Sequence, residues 1–287
     1  MKMQFSQQDA PLLIVFGQSN AHGHGTHLPE PERIASPLKN VWGLDRAHNQ
    51  QYGLKDVTWS GFLTAGMNLG ENQDDTVCLA NCFARLWQQR IDGGEALPDL
   101  YVIQISIGAM GIAREEIRGL NMWYPQRERR MKPGPLGEVD ISLYPLAVEI
   151  LELSVKNLVA AGKNPVILGM HWNQWETEVD TGGEAVEHAG ENFAGVFGGL
   201  RRAVGIPCPI WLYYPRATAY NNPEGVEKVR SVLQSFADSG EGYRFMDAAQ
   251  SPYWNPTAPH LGIFAEDNAH YTPQVQRWFA QRQMEAL

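Results

Sequence analysis

One pattern constrains this chain more than any other: short apolar runs, bounded by turn residues, alternate with stretches of helical period. The runs at 12–16, 101–107, 166–170, 209–214 and 243–246 read as strands buried on both faces. Between and after them, 76–91, 143–161, 185–204, 223–239 and 273–285 carry helical spacing, the last two opening on Pro223 and Pro273. Strand–helix alternation implies a parallel sheet with right-handed crossovers and helices on both faces. The expected architecture is therefore α/β: a three-layer α/β/α sandwich around a doubly wound parallel sheet of about five strands, as one domain over 1–287. Two stretches break the rhythm and are expected to be long loops. The first, about 21–70, is rich in Gly, His, Asn and Pro; the second, about 115–139, carries Arg127, Arg129, Arg130 and Lys132 beside Pro133-Gly134-Pro135. Loops of that length in a compact domain are usually functional or disordered. Their basic cluster reads either as a solvated loop or as a contact for an anionic ligand.

Composition narrows the class. Hydrophobic residues make up 44% of the 287 and charged residues 19%, an ordinary globular balance. With 23 basic against 32 acidic side chains the formal charge is −9, which argues against a nucleic-acid partner. Cys78, Cys82 and Cys208 are an odd set without disulfide spacing. Cys78 and Cys82 fit one face of a helix as small core residues, and no further ligand follows at a zinc-type spacing. The longest wholly apolar run, 12–16, is far short of the roughly 18 residues of a membrane helix, so no membrane partner is expected. The segment MKMQFSQQDAP lacks the apolar core of a signal peptide. A full-length chain with this start is expected in the cytoplasm; a mature form of a secreted or periplasmic protein would read the same.

In an open parallel sheet, ligands bind beyond the carboxyl ends of the strands, so the residues there carry the chemistry. After the first strand stands Gly17-Gln18-Ser19-Asn20. A serine at such a strand-to-helix turn presents its hydroxyl above the sheet, and its N–H has no helical acceptor. Ser19 or Asn20 as a simple helix cap is the plainer alternative. Before the last helix stands Asp267-Asn268-Ala269-His270. A serine nucleophile needs an imidazole base and a carboxylate to orient it, and three residues of separation let Asp267 fold back onto His270.

These residues carry a resemblance. Gly17-Gln18-Ser19-Asn20, then Gln174 and Glu176 after the third strand, then Asp267-x-x-His270 resemble the SGNH hydrolase superfamily, and within it carbohydrate esterases of the sialate O-acetylesterase and acetylxylan esterase type. The likeness runs from about Leu12 to Trp278. It implies a flavodoxin-like sandwich and deacylation through an acyl-serine without a metal or other cofactor. Ser19 is then the nucleophile, His270 the general acid and base, and Asp267 its orienting carboxylate. The resemblance also implies an oxyanion hole built from the Ser19 N–H, an N–H of Gly108 or Ala109 in the turn after the second strand, and the Gln174 amide, with Asn173 as substitute. Each such donor contributes about 2.7–4 kcal/mol to the transition state. Trp175 and Glu178 stand where relatives have Gly and Asp, which predicts a bulkier pocket wall. Gln18, Asn20, His22, Asn173, Trp175 and Glu176 are candidates for substrate contact or support. Trp123, Trp172 and Trp175 read as sugar platforms or as core. The His22, His24 and His27 cluster matches no common zinc motif.

The expected activity is removal of a small acyl group, O-acetyl first, from a carbohydrate ester, with a small molecule or glycan as the partner and the oligomeric state open. A lipase, thioesterase or acyltransferase of the same superfamily is the nearest alternative, and a non-catalytic sugar-binding module the more distant one.

Overall fold

The computed structural model describes residues 3–24, 33–64, 67–70, 77–114, 122–134, 137–216, 219–258 and 261–287. In chain order its elements are β1 (Asp9–Gly17), α1 (Ser19–His22), β2 (Val41–Leu44), α2 (Arg46–Asn49), β3 (Trp59–Gly61), β4 (Asn68–Gly70), α3 (Leu79–Asp92), β5 (Leu100–Ser106), β6 (Met131–Gly134), β7 (Gly137–Asp140), α4 (Leu143–Ala160), β8 (Asn164–Asn173), α5 (Glu176–Thr181), α6 (Glu184–Glu187), α7 (Ala189–Val204), β9 (Ile210–Tyr213), α8 (Pro223–Asp238), β10 (Tyr243–Met246) and α9 (Pro273–Glu285).

The five apolar runs form a contiguous stretch of one sheet, β10-β9-β8-β1-β5, all paired in parallel. β1 is central because eight of its nine residues are buried, so it can carry neighbours on both edges and helices on both faces. Helices α3 and α9 pack together, as do α4 and α7, with α8 against α7. Asn222 caps α8 by accepting the Gly225 N–H at 2.9 Å, and Pro223 and Pro273 open α8 and α9, where a missing N–H costs nothing. Among the described residues no helix is long and apolar enough to cross a membrane.

The sheet exceeds the five strands expected, and the difference comes from the first long loop. Its residues supply β2 and β4, both parallel to β5, and β3, antiparallel to β2, for eight strands among the described residues. These strands are three or four residues long and carry Gly and Asn, too short to show a periodicity. The second loop contains an antiparallel hairpin of β6 and β7, while 115–121 lie outside the described residues. Arg129 of the basic cluster donates to the buried Asp140 at 2.6 Å and to Glu149 of α4 at 2.5 Å. Its charge is thus satisfied inside the protein, tying the hairpin to α4, and it offers no anion site.

Aromatic side chains fill the layer between β8 and the helices. Phe197, fully buried, lies 5.5 Å from Trp172, 5.6 Å from Phe193 and 5.5 Å from Phe236. Phe197→Ala should cost about 3–5 kcal/mol of stability through the cavity it leaves, read as a lowered urea midpoint at unchanged slope.

Candidate active site

The turn after β1 is shaped by close approach to β8. Gly17 has φ 139°, and a Cβ there would lie 2.1 Å from the Asn173 carbonyl oxygen, so only glycine lets the two strand ends pass. The same carbonyl accepts the Gln18 N–H at 3.2 Å, and Trp123 Nε1 donates to the Gly17 carbonyl at 3.1 Å. Ser19 then opens the one-turn helix α1, and the Gly23 and His24 N–H groups both close on its carbonyl, at 2.8 and 2.9 Å. A first-turn amide such as that of Ser19 has no intrahelical acceptor.

Asn20 joins this turn to the far end of the chain. Its amide donates to Glu176 at 2.8 Å and to the Ala269 carbonyl at 3.0 Å, while its Oδ1 accepts the Tyr271 N–H at 3.0 Å. Gln276 of α9 donates to its backbone carbonyl at 3.0 Å. Asn20 is therefore a buried brace that holds the Ser19 turn against the Asp267–His270 loop.

Within that loop Asp267 Oδ1 accepts the N–H groups of Ala269 and His270, each at 3.0 Å, and Oδ2 lies 2.5 Å from His270 Nδ1. Burial works to raise the Asp267 carboxyl, but the His270 ring and the two backbone N–H groups outweigh it and hold the group below the usual carboxylate range. With Nδ1 engaged by the carboxylate, Nε2 is the nitrogen left to take a proton.

Ser19 and His270 line one cleft of about 360 Å³, together with Gly108 and Ala109 from the turn after β5 and Glu176 from α5. Gln18 also lines it, its Oε1 accepting from Thr177 Oγ1 at 2.5 Å. Ala109 (φ 58°) and Asn268 (φ 56°) are the two non-glycine residues with left-handed backbone among those described, and both belong to these site turns. For alanine that conformation costs about 1–2 kcal/mol, strain of the kind that concentrates at functional loops.

Other expectations are corrected by burial. Gln174 is 1% exposed, does not line the cleft, and donates its amide to Glu178 rather than pointing at a reacting group. Asn173, also buried, serves through its backbone. Trp123, Trp172 and Trp175 are core: the first two pack at 4.9 Å, and Trp175 lies 5.8 Å edge-on to Tyr220. An indole buries more apolar area inside than a cleft wall can offer. His22 is buried behind the cleft, whereas His24 lines it with its ring 5.1 Å from that of His270; His27 lies outside the described residues. Thr177, Asp180 and Tyr220 complete the wall and escaped the reading of the sequence, although Tyr220 follows β9 and the strand-end rule points to that loop. Among the described residues no three His, Cys, Asp or Glu side chains gather as a metal site would require.

Buried titratable groups set the response to acid. Burial pushes His22 and His171 down to about 3 from 6.5, so both stay neutral when folded while the unfolded chain protonates them. Their stabilisation is present above pH 6.5 and is lost as pH falls toward 3. Glu178 opposes this: burial lifts its carboxyl to about 7 from 4.5, so the folded chain gains stability as pH falls through that window. Urea unfolding should therefore show a moderate loss as pH falls from about 6.5 to 4.5, where Glu178 offsets one of the two histidines, and a steeper loss below it, and His171→Asn should reduce both slopes.

The sequence matches no protein-family model and no curated protein. Solved structures do match. NanS superposes with a TM-score of 0.65 at 16% identity over 98% of both chains. A protein from Arabidopsis thaliana superposes with a TM-score of 0.57 at 19% identity, over 96% of this chain and 98% of its own. At such identities the likeness is one of fold: the chain has a flavodoxin-like three-layer α/β/α fold similar to that of NanS.

Proposed function

We propose that this protein is a serine esterase that removes a small acyl group, acetyl first, from a carbohydrate hydroxyl. The observation that carries the proposal is the Asp267–His270 couple, 2.5 Å apart, on the cleft that Ser19 also lines. In the reaction, Ser19 Oγ attacks the ester carbonyl as His270 Nε2 takes its proton. The carbonyl becomes an oxyanion facing the Ser19 N–H and an N–H of Gly108 or Ala109. Its collapse breaks the bond to the sugar oxygen, which receives the proton from His270. Water, deprotonated by the same imidazole, then attacks the acyl-serine and releases the acid and free Ser19. Asp267 stays ionised throughout and stabilises the imidazolium.

The wall favours a short acyl group over a long one. Among its described residues the apolar surface comes from Ala109, the Thr177 methyl, the Tyr220 ring and the two histidine rings, with no long aliphatic side chain, beside the polar groups of Gln18, Ser19, Glu176 and Asp180. A fatty chain gains about 0.8 kcal/mol per buried methylene, and this cleft offers little to bury it against. The carbohydrate part of the proposal is supported by the resemblance of the Gly-Gln-Ser-Asn and Asp-x-x-His motifs to carbohydrate esterases. In a panel of p-nitrophenyl acetate, butyrate and octanoate together with O-acetylated sugars, kcat/KM should fall with acyl length, and acetylated sugars should be turned over. A preference for octanoate would instead assign a lipase or thioesterase.

A further inference from the structure

We propose that Glu178 is the positioning residue of the oxyanion turn: its carboxylate, reaching from α5 to the Ile112 N–H, sets where the Gly108 and Ala109 N–H groups point. The inference rests on the esterase reading and adds a residue to it. The turn between Ser106 and Ile112 is held at both ends. At the first end the Asn68 side chain takes the Ser106 N–H at 3.0 Å and donates to its carbonyl at 2.9 Å. At the other end Glu178 Oε1 accepts the Ile112 N–H at 2.7 Å, and the Trp123 N–H donates to the Gly111 carbonyl at 3.1 Å. Between the two ends stands Ala109 in its left-handed conformation, which would relax if either end were released. Glu178 is 1% exposed, and its second oxygen accepts from the Gln174 amide, so both described hydrogen-bond partners of the carboxylate are donors. Above about pH 7, where the buried carboxyl is ionised, it is a fixed acceptor for both; a carboxamide can keep its Oε1 on the Ile112 N–H only if its NH2 turns to Gln174 and the Gln174 amide turns over to accept it. Aspartate, one methylene shorter, would withdraw the carboxylate from Ile112. Glu178 itself does not line the cleft, so it acts on the reaction through the turn.

The test compares wild type, Glu178→Gln, Glu178→Asp and Ser19→Ala on p-nitrophenyl acetate, with methylboronic acid as an inhibitor whose tetrahedral adduct on Ser19 mimics the intermediate. A misplacement of about 1 Å in a donor costs up to about 10²-fold in rate. Above about pH 7, Glu178→Asp should lower kcat by about 10- to 100-fold, leave KM within about threefold, and weaken boronate inhibition by the same factor as kcat, because only the tetrahedral state uses the hole. Glu178→Gln, whose Oε1 can still accept from Ile112, should show the same signature with a smaller loss, and it decides the question if the aspartate variant does not fold. Unchanged kcat in a folded variant, or a loss of kcat without a matching loss of boronate affinity, overturns the role of Glu178 and leaves the esterase intact. A wild type without turnover, or Ser19→Ala with full turnover, overturns both.

Discussion

Ser19→Ala should lower acetyl-ester turnover by about 10⁴-fold or more while leaving the urea midpoint almost unchanged. The rate loss follows because no other hydroxyl stands at the end of β1 to form the acyl intermediate, and what survives is the rate that substrate binding and the oxyanion donors give to attack by water. Stability should hold because the contacts of this turn that matter to the fold are made by backbone. The Ser19 carbonyl accepts from Gly23 and His24, and the neighbouring Asn20 makes the buried side-chain bonds. Removing one hydroxyl at a site 8% exposed disturbs none of them. Undiminished turnover of p-nitrophenyl acetate by this variant would remove the basis of the proposed function.

The second large effect is expected from Asp267→Asn, about 10³–10⁴-fold in kcat. Asparagine can keep its Oδ1 on the Ala269 and His270 N–H groups, so the turn survives. Its NH2 then faces His270 Nδ1 where a carboxylate oxygen stood at 2.5 Å. To avoid two opposed donors, the imidazole must carry its proton on Nε2 and accept at Nδ1, the tautomer that cannot take a proton from Ser19. The loss should therefore lie in kcat, with KM little changed, and the crystal structure of the variant should superpose on that of the native chain. A variant that retains full activity would show that Asp267 does not orient the base and would direct attention to Glu176, whose buried carboxyl lies on the same cleft and is held by Asn20.

Much of the fold could be read locally. The five parallel strands announce themselves as apolar runs, four of them largely buried and β10 at the edge only partly so, and the helices do so through their period and their prolines. The short strands β2, β3 and β4 could not be read, since a three- or four-residue strand with glycine and asparagine has no pattern apart from the neighbour that pairs with it. The Asp267–His270 contact was legible for the opposite reason: it closes within three residues, and an aspartate that accepts its own turn's N–H groups needs no tertiary partner to adopt that shape.

The walls of the site were not legible in the same way. Trp123, Trp172 and Trp175 have the same composition signal whether they face a sugar or the core, and only packing at 4.9 Å between two of them and Trp175 edge-on to Tyr220 makes them core. Gln174 has the right residue type at a strand end, yet Glu178, one helical turn later, takes its amide. The sequence by itself determined the order of the strands' signals, the turn that carries Ser19, and the local pairing of Asp267 with His270, because each depends on interactions a few residues long. The tertiary structure alone decided that Ser19 and His270, 251 positions apart, share one cleft, and which polar side chains face it. Burial and direction are properties of the packed chain: they arise when β1 takes its place between β5 and β8 and Asn20 closes the two ends together.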